Sequence, residues 1–389
     1  MGDKKLLFVI HSSAPSGGAE DDIENLLIKL KASGNFEIHA LLPEGPRKSS
    51  FIKYLDKFGN LNWGVFPVIN KGFLEYIKYF LKSFVQFIQI RRFAKNEKYD
   101  LVLFSVAVLL WPIVFFKANG NRNIVFIKET IEPVYIRRFI YKIISRSSIF
   151  IIPNSKVIEN EFREITGNQN VKTIYSSVSK SEYELKNEWI YETNIGTAIL
   201  KALDGNSLIM LMIGNLVKIK NPIAAVKAAE LLKNDPDISA KLFIVGKDDV
   251  EKKYADNVIE YIGKNDLDSV VYLLGFQQKA VLEYLFQKVD FLIIPSLSEG
   301  IPLVLVYALK FRVPVITTSA GGISDIIKDS YNGIIVEPDA QSIYEAVKRL
   351  KDNPDLNNMI RENGYSTFIE KFNLDRNINE IMLKINELI

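Results

Sequence analysis

Apolar runs of four to six residues alternate with longer segments of helical period along the whole chain. In the first half the strand-like runs are LLFVI (6–10), EIHALL (37–42), DLVLF (100–104), NIVFI (123–127) and SIFIIP (148–153). The second half repeats the scheme with SLIMLMIG (207–214), AKLFIVG (240–246), VVYLLG (270–275), DFLIIP (290–295) and VPVITT (313–318). Runs this uniformly apolar suit parallel strands covered on both faces. Between them, AEDDIENLLIKLKASGN (19–35) sets Ile23, Leu26, Leu27 and Leu30 at helical spacing. That segment opens with carboxylates and closes at Gly34, as a capped helix should. PIAAVKAAELLK (222–233) is a further helical segment. Strand, helix, strand in this order predicts doubly wound parallel sheets.

The stretch 176–206 is polar and lacks a strand period, so the domain boundary is placed near its beginning. A chain of 389 residues also exceeds one ordinary core. The expected architecture is α/β, with two Rossmann-like doubly wound parallel-sheet domains, 1–176 and 177–369, facing a central cleft. Ligands of such folds bind outside the carboxyl ends of the strands.

Composition narrows the chemistry. Hydrophobic residues make up 48% and charged residues 24%, the balance of a globular protein. There is no cysteine, which excludes disulfides, zinc-thiolate sites and thiol nucleophiles, and two histidines do not build a histidine-rich metal centre. The apolar stretch after Lys4 and Lys5 ends at Ile10, too short for a secretory signal. The longest apolar run, Leu101 to Phe116, is short for a membrane span and contains Pro112, so it reads as a buried strand followed by a helix. The chain is expected to be soluble. Charge is unevenly spread: residues 1–180 hold 26 Lys/Arg against 16 Asp/Glu, and the remainder is acidic.

Glycine-bearing turns follow several strands. HSSAPSGGAE carries Gly17 and Gly18; IGNLVKIKNP carries Gly214, Asn215, Lys218 and Lys220; VGKDD carries Gly246. None has the spacing of a dinucleotide fingerprint or a Walker loop. The turn PSLSEGIPLV, after DFLIIP, is richer. Pro302 suits a helix start, which leaves the amides of Leu303 and Val304 free to meet an anion. Beside them Glu299 suits hydroxyl hydrogen bonds, and hydroxyls next to phosphate describe a sugar phosphate. An Asp-x-Asp match at Asp235 and Asp237 brackets Pro236 and reads as a solvated turn, so no metal site is expected.

PSLSEGIPLVLVYALKFRVPVITTSAGGISDIIKDSYNGIIVEP resembles the C-terminal signature of glycosyltransferase family 4, retaining enzymes of the GT-B fold. GGAE, IYSSVS (174–179), IGNLVKIKNPIAAVKAAELL and YNGIIVEPDAQSIYEAV extend the resemblance over nearly the whole chain. It implies that 370–389 forms a helix crossing back to the first domain. It also implies that Lys220, aided by the Leu303 and Val304 amides, neutralises a donor diphosphate, and that Glu299 positions the transferred sugar. Gly17, Gly18, Gly214, Asn215, Gly246, Gly300, Ile301, Pro302 and Tyr307 would complete the donor site, and Lys128 with Glu129 would meet the acceptor.

Three positions depart from the family pattern. Tyr307 stands where a second, ribose-binding glutamate is usual, Asn215 where an arginine is usual, and Lys128 where many relatives have histidine. A tyrosine cannot hold two ribose hydroxyls as a carboxylate does. The implied function is retaining, metal-independent transfer of a sugar from a nucleotide sugar, a co-substrate rather than a cofactor, to a saccharide or lipid-linked saccharide of a surface polysaccharide. Rivals are a GT-B-like scaffold subunit without activity and a nucleotide-sugar 2-epimerase. The aromatic and basic segments 71–98 and 135–146 suggest an anionic membrane surface rather than nucleic acid as partner, on the inner face of the cell membrane of a cytoplasmic protein.

Overall fold

The computed structural model describes residues 4–13, 18–61, 86–95, 97–128, 131, 133–178 and 207–389, with the isolated positions 196, 199, 202, 203 and 205. It divides into two compact units, Met1–Ser177 with Leu374–Ile389, and Val178–Asn373.

The first unit is built on a six-stranded sheet ordered β3-β2-β1-β4-β5-β6. The strands are β1 (Lys4–Val9), β2 (Phe36–Leu42), β3 (Lys57–Asn60), β4 (Leu101–Phe104), β5 (Asn123–Ile127) and β6 (Phe150–Pro153). All pairings are parallel, for example Phe8 against Ala40 on one side and Leu103 on the other. Every residue of β4 and β5 is buried, which is why their sequences run apolar without alternation. Helix Gly18–Ser33 covers one side with Ile23, Leu26, Leu27 and Leu30, together with Ile378, Ile381 and Ile385 of helix Leu374–Leu388. Gly34 ends the first of these helices at φ +67°, a conformation that disfavours any side chain. Helices Leu110–Ala118 and Val134–Ser147 and the helical residues 86–94 cover the opposite side. Pro112 is the third residue of its helix, where it leaves no intrahelical bond unmade.

The second unit repeats the plan, ordered β12-β11-β10-β7-β8-β9. Its strands are β7 (Leu208–Ile213), β8 (Ala240–Val245), β9 (Val271–Leu273), β10 (Phe291–Ile294), β11 (Val315–Thr317) and β12 (Ile334–Ile335). Helices Pro222–Lys233, Lys252–Lys264 and Ala340–Asp352 cover one core, and Leu303–Lys310 packs against Pro354–Lys371. Asp339 caps the Ala340–Asp352 helix by accepting from the Ser342 amide at 2.9 Å.

Two strands have no counterpart among the sequence expectations. β3, KFGN, is an edge strand with alternating exposure, and β12 is two residues long; neither makes an apolar run. In both units the first strand lies where the chain's winding reverses, between β2 and β4 and between β8 and β10. In doubly wound sheets ligands bind at the carboxyl ends of the strands at such a reversal. Among the described residues no helix is long and apolar enough to cross a membrane.

Candidate active site

The loops leaving β7, β10 and β11 meet at the carboxyl edge of the second unit. After β7, Asn221 adopts the left-handed conformation (φ 54°) that ends the turn Lys218–Lys220 and starts helix Pro222–Lys233. Its side-chain amide donates to the carbonyls of Pro295 (3.2 Å) and Pro338 (2.9 Å), tying this loop to two others. The Leu297 amide donates to the Ile219 carbonyl at 2.8 Å. These bonds bring Lys220 and Glu299 into an ion pair. Glu299 Oε1 also accepts from Ser296 Oγ at 2.9 Å, and Thr318 Oγ1 after β11 holds the Ser296 carbonyl at 2.6 Å. Glu299 is only 10% exposed and Lys220 30%, so the cation is the more open member.

Glycines set how closely these loops approach. A Cβ on Gly246 would lie 2.0 Å from the Gly214 carbonyl oxygen. A Cβ on Gly321, itself at φ +53°, would lie 1.9 Å from the Glu299 carbonyl oxygen. Gly321–Asp325 is therefore the wall against which the Glu299 turn rests. The Gly-Gly doublet in SAGGISD was the sequence signal for it, as Ser296 and Thr318 flanking the strand ends were for the hydroxyl supports.

Glu299 lies between Ser296 and Gly300 in the turn, and Pro302 is the residue capping helix Leu303–Lys310. Pro302 takes the capping position, one residue before the first helical one. By helix geometry the amides of Leu303 and Val304 have no carbonyl partner within the helix. Gly300 and Ile301 sit against Gly322, whose Cβ would come within 3.0 Å of the Gly300 backbone. Asn215 is engaged elsewhere: its Oδ1 accepts from the Lys247 amide at 3.0 Å, joining the β7 and β8 loops.

Tyr307 is half-buried and its ring stacks on Phe286 (5.9 Å, 16° between planes), which stacks in turn on Phe311 (5.9 Å, 4°). Lys279 Nζ lies 5.9 Å from the Tyr307 ring centre. The tyrosine is thus a packing element of helix Leu303–Lys310. Lys128, at the end of β5, pairs with Asp22, contacts Ser176 Oγ at 3.3 Å and is 9% exposed, so its charge is already matched within the first unit. Gly18 is the first residue of helix Gly18–Ser33; Gly17 and Glu129 lie outside the described residues. Sequence reasoning missed His11 and Ser105, hydrogen-bonded at 3.2 Å at the ends of β1 and β4, where the first unit's winding reverses.

The turn around Asp235 is solvated, as expected, at Asn234, Pro236 and Asp237, but the Asp235 carboxylate itself turns inward, accepting from Tyr344 Oη (2.7 Å), Lys348 Nζ (3.0 Å) and the Asp237 amide (3.0 Å). The Tyr344 hydroxyl, the Asp237 amide and Lys348 hold it down at about 2. Among the described residues no cluster of three His, Cys, Asp or Glu side chains could hold a metal ion.

Comparison with known proteins gives these features a class. HepE of Anabaena, in complex with UDP and glucose, matches with a TM-score of 0.76 over 99% of this chain and 100% of its own, at 16% identity. With the two six-stranded parallel sheets, that likeness defines a GT-B fold. Residues 201–367 match the family model of glycosyl transferases group 1. An uncharacterized glycosyltransferase of Methanocaldococcus jannaschii is 29% identical over 252 residues, 64% of this chain and 63% of that protein. The N-acetylgalactosamine-N,N'-diacetylbacillosaminyl-diphospho-undecaprenol 4-alpha-N-acetylgalactosaminyltransferase of Campylobacter jejuni is 25% identical over 372 residues, 91% of this chain and 92% of that enzyme. Three curated relatives are matched over 63%, 56% and 45% of their own length.

Proposed function

We propose that the chain is a retaining glycosyltransferase that moves a sugar from a nucleoside-diphosphate sugar to a saccharide or lipid-linked saccharide acceptor in surface polysaccharide biosynthesis. The single observation that carries this reading is the Lys220–Glu299 pair at the winding reversal of the second unit, beside the start of helix Leu303–Lys310. Lys220 offers a cation to a diphosphate, and the helix start offers amides to its oxygens. Glu299, buffered by Ser296, offers a carboxylate to hydroxyls of the sugar.

In this reading the acceptor hydroxyl oxygen forms the new bond to the anomeric carbon while the bond to the diphosphate oxygen breaks. The departing diphosphate takes the hydroxyl proton and leaves from the same face. The protein contributes alignment and stabilisation of the charge that grows on the leaving group. No metal or further cofactor is required, so transfer should persist in excess chelator. A cytoplasmic setting, with the membrane surface as the place where a lipid-linked acceptor is met, belongs to the same proposal. The named Campylobacter relative acts on an undecaprenyl-linked acceptor, which supports that acceptor class here.

Tyr307 favours one alternative, a subunit that binds sugar phosphates without transferring them, because its ring is committed to the Phe286 stack. A panel of nucleotide sugars separates the two. Release of nucleoside diphosphate dependent on membrane extract supports transfer; binding without release supports the scaffold; absence of all binding removes both.

A further inference from the structure

Helix Lys279–Phe286 of the second unit carries a buried carboxylate that the proposed transfer does not use. The Glu283 side chain is 6% exposed, and among the described residues its carboxylate accepts no hydrogen bond. Its ion-pair partner, Lys279 Nζ, stands 3.9 Å away and is itself 55% exposed. A dehydrated carboxylate so weakly compensated costs the fold stability, and an uncharged residue would fill the place at less cost. A buried group left unbonded in this way needs a reason outside the fold, and a ligand supplies one.

Tyr307 fixes where this carboxylate lies. Lys279, Glu283 and Phe286 stand at i, i+4 and i+7 and share one helical stripe. Phe286 stacks on the Tyr307 ring, and Lys279 Nζ lies 5.9 Å from that ring's centre. The stripe, with Glu283 between its two ends, therefore faces helix Leu303–Lys310. These two helices lead from β9 to β10 and from β10 to β11, the same direction along the sheet, and so share one side of it. Both begin at its carboxyl edge. Helical side chains lean back toward the helix start, which carries Glu283 toward that edge.

The Glu299 turn rests against Gly321 after β11, on one flank of the start of helix Leu303–Lys310. Helix Lys279–Phe286 comes in from β9, on the other flank. A diphosphate seated on the Leu303 and Val304 amides, with its sugar at Glu299, sends its nucleoside away from Glu299 and toward Glu283. We propose that Glu283 is the specificity-determining residue for the donor nucleoside, its two oxygens accepting from the 2'- and 3'-hydroxyls of a ribose. A vicinal diol presents two adjacent donors, the complement of a carboxylate, and an analogue lacking one leaves a buried charge less well paired. The donor class is then a ribonucleoside-diphosphate sugar, not a 2'-deoxyribonucleoside one. Tyr307 walls this contact with its ring. The proposal rests on the nucleotide-sugar reading of the site.

The test is calorimetric titration of the full chain with UDP, GDP, ADP and CDP, each beside its 2'-deoxy counterpart. For the tightest binder, the 2'-deoxy form should bind about tenfold or more weakly to the wild type, a comparison that needs no variant. Glu283→Gln keeps the shape of the side chain and removes its charge. It should lose about tenfold toward the ribonucleotide and less than about threefold toward the 2'-deoxy form, so that discrimination largely disappears. Glu260→Gln, on the exposed face of helix Lys252–Lys264, should leave the ratio unchanged. A carboxylate that only supported the fold would weaken both forms alike. Equal binding of the two forms by the wild type, parallel losses in Glu283→Gln, or a ratio untouched by that substitution would each overturn the proposal. Those results leave the transferase reading standing, whereas failure to bind every nucleoside diphosphate overturns both. Thermal melting confirms that the two variants remain folded.

Discussion

Lys220 and Glu299, 79 residues apart in sequence, form an ion pair between loops that leave neighbouring strands. The pair exists because Asn221 bonds to the Pro295 carbonyl and Leu297 bonds back to Ile219. A diphosphate reaching this edge would exchange one anion for another at Lys220 and release Glu299 toward the sugar. Lys220→Ala should therefore lower kcat/KM by roughly 10²–10³ through lost charge stabilisation. The fold should be retained, since Glu299 keeps its bond from the Ser296 hydroxyl, although leaving a carboxylate only 10% exposed without its cation should cost ~1–3 kcal/mol. Steady-state kinetics with the best donor, alongside thermal melting, checks both halves.

Replacing Gly321 by alanine should damage the site from behind. The new methyl would collide with the Glu299 carbonyl oxygen, in a backbone conformation that side chains rarely adopt. A loss of ~1–3 kcal/mol in stability and a drop in kcat exceeding that of Gly263→Ala are expected, the latter position having open space around it. Denaturant titration and initial rates of the two variants make the comparison.

For Tyr307 the geometry predicts separable roles of ring and hydroxyl. Tyr307→Phe keeps the stack on Phe286 and should change stability by less than about 1 kcal/mol, with donor KM within twofold. Tyr307→Ala removes the ring and should cost ~1–3 kcal/mol. A large rise in donor KM for Tyr307→Phe would show that the hydroxyl contacts donor.

Acid should weaken the edge of the first sheet. Glu97 is hydrogen-bonded by Lys5 and Lys57 at 2.8 Å each, and these two cations lower its carboxyl to about 2. A depressed folded-state value means that the stabilisation is present at neutral pH and is lost as pH falls from about 4.5 through about 2. After solvent screening its size is ~0.2–1 kcal/mol. Glu97→Gln should be slightly less stable at pH 7 and show a correspondingly flatter acid limb, read from melting temperatures between pH 7 and pH 2.5.

Most of the fold was legible because strands buried on both faces leave uninterrupted apolar runs, as at Leu101–Phe104 and Leu208–Ile213. β3 and β12 were not, since an edge position or a length of two residues imposes no such run. At the candidate site, Glu299 and Lys220 could be named from turn chemistry and family resemblance, but their pairing could not, because it depends on tertiary hydrogen bonds such as that of Asn221. Lys128 and Asn215 show the converse. Their residue types fit ligand contacts, yet Asp22 and the Lys247 amide engage them. The inward turn of the Asp235 carboxylate was illegible for the same reason, since its partner Tyr344 lies 109 residues away.

The most direct test of the account is release of nucleoside diphosphate from a panel of nucleotide sugars, with membrane extract as acceptor, by the wild type and by Glu299→Gln. Acceptor-dependent release with at least one donor, undiminished by chelator, is expected, with a fall of roughly 10²-fold or more in the variant. Undiminished release by Glu299→Gln would remove that carboxylate from the site, and absence of binding to every nucleotide sugar would contradict the account as a whole.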